Sequence, residues 1–496
     1  SITIANSLKT HLMPLHYPYN VFQEQLQYCL LNVQYVGYAI SGDCIMDREV
    51  FEILSKVPDE LNFFRETYPF TDLPKLNIPK AKKLYITDTT LRDGQQGWRP
   101  LTVKESVEIY KLLSELDNGS GVILSSEFFL YTSKDKEVIR EVKDLGLKYP
   151  KPVAWIRATM EDLKLAIENG MDKVVMLTSI SDYHIYFKFK LSRRQVLEKY
   201  LTVIEKAFKN GIAVRTTLED ATRADVYGTI VPFVKALLKL GEKYGVEPEI
   251  KIADTLGLGV PFEEAPLPRS IPKLIRTVIC ETGISGEKVE FHGHNDFHLV
   301  VANHLAAWKA GASMSNCTLF GIGERSGNCP LDAMVLFYVQ LTGNEGGVNL
   351  KVFKKIRDFF ECSGYVLPEF YPAFGANAFR TKAGIHIDGL MKNPQVYLPY
   401  DPISTLGLPY LVSITPYSGK AGVAFWIRMV FHLEEDGVLK TDEGVAKIYD
   451  EIVKMFSDGR VHPLRDEEMV RLVKKHMPDF FEKHRNKLPH RLRNAI

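Results

Sequence analysis

The chain has 496 residues, 45% hydrophobic and 25% charged, which is the composition of an ordinary globular protein with ample length for a large core. A formal net charge of +1 offers no basic excess to displace the counterions of a nucleic acid, and no stretch approaches the roughly 18 apolar residues of a membrane span. Six scattered cysteines without Cys-x-x-Cys spacing fit a reducing interior, and Ser1–Asn6 has no signal-peptide pattern, so a cytoplasmic location is expected.

Residues 1–80 read as an N-terminal extension. Val21–Asn32 and Asp47–Lys56 have helical patterning, Tyr68–Pro79 is a proline-bearing linker, and no residue there carries identifiable chemistry. From about residue 82 strand-like and helix-like runs alternate. The predicted strands are Leu84–Asp88, Val122–Glu127, Val153–Arg157, Val174–Thr178, Ala213–Leu218, Glu249–Ala253, Val289–His292 and Ser313–Leu319. Amphipathic stretches such as Lys104–Leu116, Lys136–Leu147, Arg194–Asn210, Pro232–Tyr244 and Leu299–Ala310 separate them. Eight such units match a (β/α)8 TIM barrel spanning 81–345. A doubly wound sheet is the alternative, but no Gly-x-Gly-x-x-Gly follows the first strand and polar residues cluster at most strand ends. Residues 346–496 read as a post-barrel linker and a mostly helical C-terminal region, with a glycine-rich polar stretch at Phe374–Gly389.

The chemistry concentrates at the strand ends. In a strand, residues two apart share a face, so His292 and His294 present two imidazoles side by side. Asp93 follows the first strand and Asn328 the eighth, and together these four compose a site for a divalent ion. Mixed nitrogen and oxygen ligands do not choose among Zn²⁺, Mn²⁺, Co²⁺, Fe²⁺ and Mg²⁺. Arg92 is placed to stabilise an oxyanion or to form a structural salt bridge. Glu219, after the fifth strand, is a candidate acid or base, or a rim carboxylate. Glu127, Arg157, Ser179, His184 and Thr255 also sit at or just past strand ends.

Leu91-Arg92-Asp93-Gly94-Gln95-Gln96, Glu219-Asp220-Ala221-Thr222-Arg223, His292-Gly293-His294-Asn295-Asp296 and Gly321-Ile322-Gly323-Glu324-Arg325-Ser326-Gly327-Asn328 jointly resemble the superfamily of isopropylmalate synthases, homocitrate synthases and hydroxymethylglutaryl-CoA lyases. The resemblance covers residues 82 to about 430. Within it, Ser126–Tyr131, Trp155–Ala158, Ser181–Ile185 and His294–Phe297 are most similar to the Re-face branch of citrate synthases. The resemblance implies a metal-dependent Claisen condensation of acetyl-CoA with a 2-oxo acid, hence an acyltransferase, with Asp93, His292, His294 and Asn328 at the metal. It implies catalytic roles for Arg92, Glu219, His386 and Tyr397, the last two offered after the barrel and commonly by the partner of a homodimer. It places Gln96, Glu127, Arg157 and Thr255 at the substrate. A guanidinium at 157 suits a second carboxylate, as in oxaloacetate or 2-oxoglutarate, better than a branched apolar tail. Oxaloacetate giving citrate is the expected reaction; homocitrate, isopropylmalate or citramalate synthesis, or the lyase direction, are the alternatives.

Competing chemistries fit less well. Metal-dependent barrel hydrolases usually carry His-x-His on the first strand, the lyases typically lack the region bearing His386 and Tyr397, and a carboxyltransferase needs a strand-borne lysine that no strand end offers. A non-catalytic acyl-CoA or metal sensor would not need the complete polar set.

Overall fold

The computed structural model describes residues 69–382, 384–433 and 437–489, with 52, 54–58, 492 and 493 besides. The chain divides into two compact units, Ser1–Arg65 and Glu66–Ile496. The expected helix Val21–Asn32 and most of Asp47–Lys56 lie outside the described residues.

In the second unit eight parallel strands pair in sequence order and close into a barrel. They are β1 (Tyr85–Asp88), β2 (Ile123–Phe128), β3 (Lys151–Arg157), β4 (Lys173–Ser179), β5 (Ala213–Glu219), β6 (Glu249–Asp254), β7 (Val289–Gly293) and β8 (Met314–Cys317). Closure pairs Tyr85 with Met314 and Asp88 with Cys317. Each strand falls where its apolar run predicts it. β8 ends two residues early because Leu319–Gly321 forms a tight turn, with Phe320 held at φ +55°.

Around the barrel run α1 (Val103–Asp117), α2 (Ser133–Asp144), α3 (Met160–Glu168), α4 (Arg193–Lys209), α5 (Val231–Tyr244), α6 (Ile271–Thr282), α7 (Val300–Ala310) and α8 (Leu331–Thr342). Reciprocal caps fix several starts: Thr102 with Glu105, Thr132 with Asp135 and Ser192 with Gln195 each satisfy two otherwise unpaired N–H groups. The Thr132–Asp135 cap explains why α2 begins three residues before the apolar periodicity does. Outward side chains of the strands, among them Ile86, Val174, Leu218, Ile252 and Phe291, are buried in one continuous core with Leu113, Val196, Leu237, Ile275 and Trp308 of the helices.

The linker is part of this unit. Leu73 is buried, Leu76 N–H donates to Gln340 O (2.8 Å), and Asp401 N–H donates to Phe70 O (2.8 Å). After the barrel come α9 (Val352–Cys362), α10 (Gly384–Lys392), α11 (Gly419–Val430), α12 (Glu443–Ser457) and α13 (Asp466–His476). A two-residue pairing of Arg380–Thr381 with Leu411–Val412, not anticipated from the sequence, is the strand content described there. Asp466 anchors the region, accepting from Arg380 (2.5 Å) and from Trp426 Nε1 (2.9 Å).

The barrel axis departs from the branched apolar layers usual for this architecture. Lys173, Glu249, Arg215, Glu290, Lys251 and Glu127 alternate in sign along it. Lys173 pairs with Glu249 (2.5 Å), Arg215 with Glu249 (2.8 Å) and Glu290 (2.6 Å), and Lys251 with Glu290 (3.1 Å) and Glu127.

Candidate active site

The metal-binding residues predicted from the sequence converge at the C-terminal mouth of the barrel. β7 points His292 inward and His294 follows on the same face, while Asp93 is presented by the helical turn Thr90–Gly94 directly after β1. Asp88 holds that turn, accepting from Thr90 N–H (3.0 Å), and burial pushes its own carboxyl up to about 6. Asp93, His292 and His294 offer ligand atoms that all lie within 4.8 Å of one another. The two Nε2 atoms are 3.3 Å apart, and they stand 3.7 and 3.9 Å from Asp93 Oδ2. Asn328 pairs backbone to backbone with His294 and donates from Nδ2 to Asp93 Oδ2 (2.8 Å). Two glycines allow this closeness: a Cβ on Gly97 would lie 2.0 Å from the Gly323 backbone, and one on Gly323 would lie 2.7 Å from Asn328 Oδ1.

Charge at the triad suits a cation. Burial alone would raise the Asp93 carboxyl, but the Arg92 guanidinium first, helped by the Asn328 amide, holds it well below the usual carboxylate range. Burial drives His292 down to about 3 and lowers His294 as well, so both rings are neutral and can give a lone pair. His294 Nδ1 and Asn328 Oδ1 are buried without a hydrogen-bond partner. A carboxylate and two neutral imidazoles converging on one point are the donor set of a divalent ion, while the Asn328 amide turns Nδ2 rather than its oxygen toward Asp93.

Arg92 pairs with Asp93 (3.0 Å) and lies over the Trp155 ring at 4.3 Å. The salt-bridge reading of this arginine holds, and the salt bridge and the stack orient a guanidinium whose buried Nε has no hydrogen-bond partner. The aromatic chain continues from Trp155 through Phe129 to Tyr131, and Arg157 sits over Tyr131 at 5.5 Å. Arg157 is thus on the rim, 61% exposed, with its guanidinium clasped by Asp162 (2.8 and 2.9 Å).

Glu127 does not face an open pocket as expected. It is fully buried, accepting from Thr89 Oγ1 (3.0 Å) on one oxygen and from Asn316 Nδ2 (3.1 Å) and Lys251 on the other. It belongs to the wall beneath the site. Glu219 is also enclosed: Ser179 Oγ donates to it, Lys188 Nζ reaches both oxygens (3.0 and 2.9 Å), and His184 Nδ1 stands 3.0 Å away. Burial would raise its carboxyl, yet these partners hold it at about 2, which makes the side chain a poor proton acceptor in this state. Thr255 Oγ1 accepts the N–H of Asp220 (2.8 Å), a residue in left-handed conformation at φ +64°. Gln96 is exposed beside the Asp93 turn.

His386 and Tyr397 come together, ring centroids 4.5 Å apart, on the exposed surface of the post-barrel region. No contact among the described residues joins that pair to the triad of the same chain.

Sequence reasoning missed Arg215, Lys251, Glu290 and Asn316 beneath the site. A signal existed: Arg215, Lys251 and Glu290 are charges in the middle of strands that are otherwise largely buried on both faces, and such charges must find partners in the interior. His304, Cys317 and Cys329 form a second buried group of possible ligands. Ser315 already bonds two of them, with His304 Nδ1 at 2.6 Å and Cys317 Sγ at 3.2 Å from its hydroxyl, and these residues fill the layer between β8 and α7.

Residues 83–360 match the family described as HMGL-like. Over 433 residues the chain is 41% identical to a Citrate (Re)-synthase of Clostridium kluyveri, covering 85% of this chain and 95% of that one. It is 40% identical over 432 residues to a Citrate (Re)-synthase of Syntrophus aciditrophicus, covering 85% and 69%. A 2-phosphinomethylmalate synthase of Streptomyces hygroscopicus is 34% identical over 431 residues, covering 84% and 97%.

Proposed function

The chain belongs to the HMGL-like family, and from that premise we propose that it condenses acetyl-CoA with a 2-oxo acid, oxaloacetate giving citrate, as an acyltransferase that transfers the acyl group as an alkyl. The observation that carries this reading is the convergence of Asp93, His292 and His294 beside an oriented Arg92 at the barrel mouth. A divalent ion held there, such as Mn²⁺, Co²⁺, Zn²⁺ or Mg²⁺, supplies Lewis acidity toward a keto oxygen. The residues do the rest. Arg92, pinned by Trp155 and Asp93, faces developing negative charge with no reorientation to make. Thr255 and Gln96 hold the substrate's carboxylate, and Arg157, released from Asp162, reads a second one. The nearly apolar wall of Trp155 and Phe129 keeps water from the guanidinium.

Proton removal from the acetyl methyl needs a base that Glu219, in its present pairing, is not. We assign that work to His386 and Tyr397 delivered by the partner of a cytoplasmic homodimer, with Glu219 and His184 receiving them at the mouth. Thioester hydrolysis then drives the condensation forward.

The test is a panel of oxaloacetate, 2-oxoglutarate, 2-oxoisovalerate and pyruvate with acetyl-CoA and Mn²⁺, following free thiol. Preference for oxaloacetate, with citrate as product, supports the assignment. Preference for 2-oxoglutarate or 2-oxoisovalerate moves it to homocitrate or isopropylmalate synthesis. Absence of thiol release with all four overturns the synthase reading.

A further inference from the structure

We infer that Asn316 is a positioning residue that fixes His292 in one tautomer, Nδ1 protonated and Nε2 bare, and that two carboxylates inside the barrel dictate this choice. The inference rests on the metal-site reading above and adds how the ligand is prepared.

The directions of the hydrogen bonds follow from what each group can give. Glu290 and Glu127, each held by cations, are acceptors only. Glu290 Oε1 takes Arg215 Nη1 (2.6 Å) and the hydroxyl proton of Thr87 (2.6 Å). That proton is the only one the Thr87 side chain can donate, so its oxygen must accept from Asn316 Nδ2, 2.9 Å away. The second hydrogen of the same amide goes to Glu127 Oε1 at 3.1 Å. Turning the amide over would set Oδ1 against a carboxylate oxygen and leave Thr87 without its donor, two repulsive contacts in a site closed to water.

With the amide fixed, Oδ1 faces His292 Nδ1 at 2.8 Å and can only accept. Nδ1 therefore carries the proton. Nε2 is left with its lone pair turned toward His294 Nε2 (3.3 Å) and Asp93 Oδ2 (3.7 Å), where a cation is wanted. Thr87, Glu127, Glu290 and Asn316 are at most 1% exposed and His292 7%, so bulk water does not compete for any link. The hydrogen bond on the far nitrogen of a metal-binding imidazole sets its orientation and basicity.

The experiment reads the tautomer and the affinity separately. In ¹⁵N-imidazole NMR of the metal-free protein, with the His292 signals identified by loss in H292Q, the protonated nitrogen is expected at Nδ1. Asn316→Ala is expected to weaken Mn²⁺ binding by about 10- to 100-fold in direct titration and to mix the tautomers, while leaving the acetyl-CoA KM unchanged. A proton found on Nε2 in the wild type overturns the inference, as does unchanged Mn²⁺ affinity in Asn316→Ala. If the wild type binds no divalent ion, the metal reading fails, and the tautomer by itself still decides the role of Asn316.

Discussion

Lys251 joins two carboxylates of the barrel axis and is itself buried. Its ammonium is shared by two carboxylates, Glu127 and Glu290 at 3.1 Å, and its side chain is 4% exposed. Lys251→Met preserves most of the apolar stem and removes the charge. Glu290 keeps Arg215, but Glu127 is left with only neutral donors, Thr89 and Asn316. Stranding a buried charge in this way costs about 3–5 kcal/mol. At about 2.1 cal/mol/K of unfolding entropy per residue, the unit from residue 66 to 496 changes by roughly 0.9 kcal/mol per degree, so the melting temperature should fall by about 3–6 °C. Glu127→Gln in the same chain removes the stranded charge, and the double variant should recover a large part of the loss, giving a favourable coupling of about 1–3 kcal/mol in a double-mutant cycle. Thermal melts of the metal-free wild type, both single variants and the double variant measure this. A shift below about 1 °C for Lys251→Met, or strict additivity in the cycle, would refute the view that these ions support one another.

Other outcomes follow from the site and its surroundings. Arg92→Lys keeps the charge but loses the planar stack on Trp155 and should lower kcat by about 10²–10³-fold with little change in the oxo-acid KM, as measured by steady-state kinetics. Arg157→Ala should raise the oxo-acid KM far more than the acetyl-CoA KM, and Asp162→Asn, which frees the guanidinium, should lower it; unchanged values in both would remove Arg157 from substrate reading. Burial raises the Asp332 carboxyl to about 7, so the folded state holds that proton more tightly than the unfolded chain and its contribution, full below about pH 4, is lost as pH rises through 7. Asp332→Asn cannot lose it, and its melting temperature relative to wild type should therefore be higher at pH 8 than at pH 5. His304, neutral by burial, acts in the opposite sense: its contribution is present above about pH 6.5 and falls by up to roughly 1.4 kcal/mol per pH unit below it.

Much of this was legible from the sequence because its signals are local. Apolar runs four to seven residues long, separated by amphipathic stretches, place eight strands and five of the helices around them to within a few residues, and a period of two puts His292 and His294 on one face. The Asp93 and Asn328 segments, far apart in the chain, were joined to that pair only by the rule that a barrel gathers its strand ends at one mouth.

What the sequence could not decide is which partner each charged group meets, since that depends on three-dimensional proximity rather than spacing. Glu127 and Glu219 stand at strand ends like genuine site residues, yet closure of the barrel gives one to Lys251 and Asn316 and the other to Ser179 and Lys188. Arg157 shares a face with Trp155, but the next helix supplies Asp162 to hold it at the rim. The sequence by itself determined the barrel and its order, because periodicity and residue type suffice for those, and it brought Asp93, His292 and His294 forward as candidate ligands. Only the tertiary structure decided the direction of every hydrogen bond beneath His292, because a proton's place is settled by the whole chain of acceptors, from Glu290 through Thr87 and Asn316 to the ring.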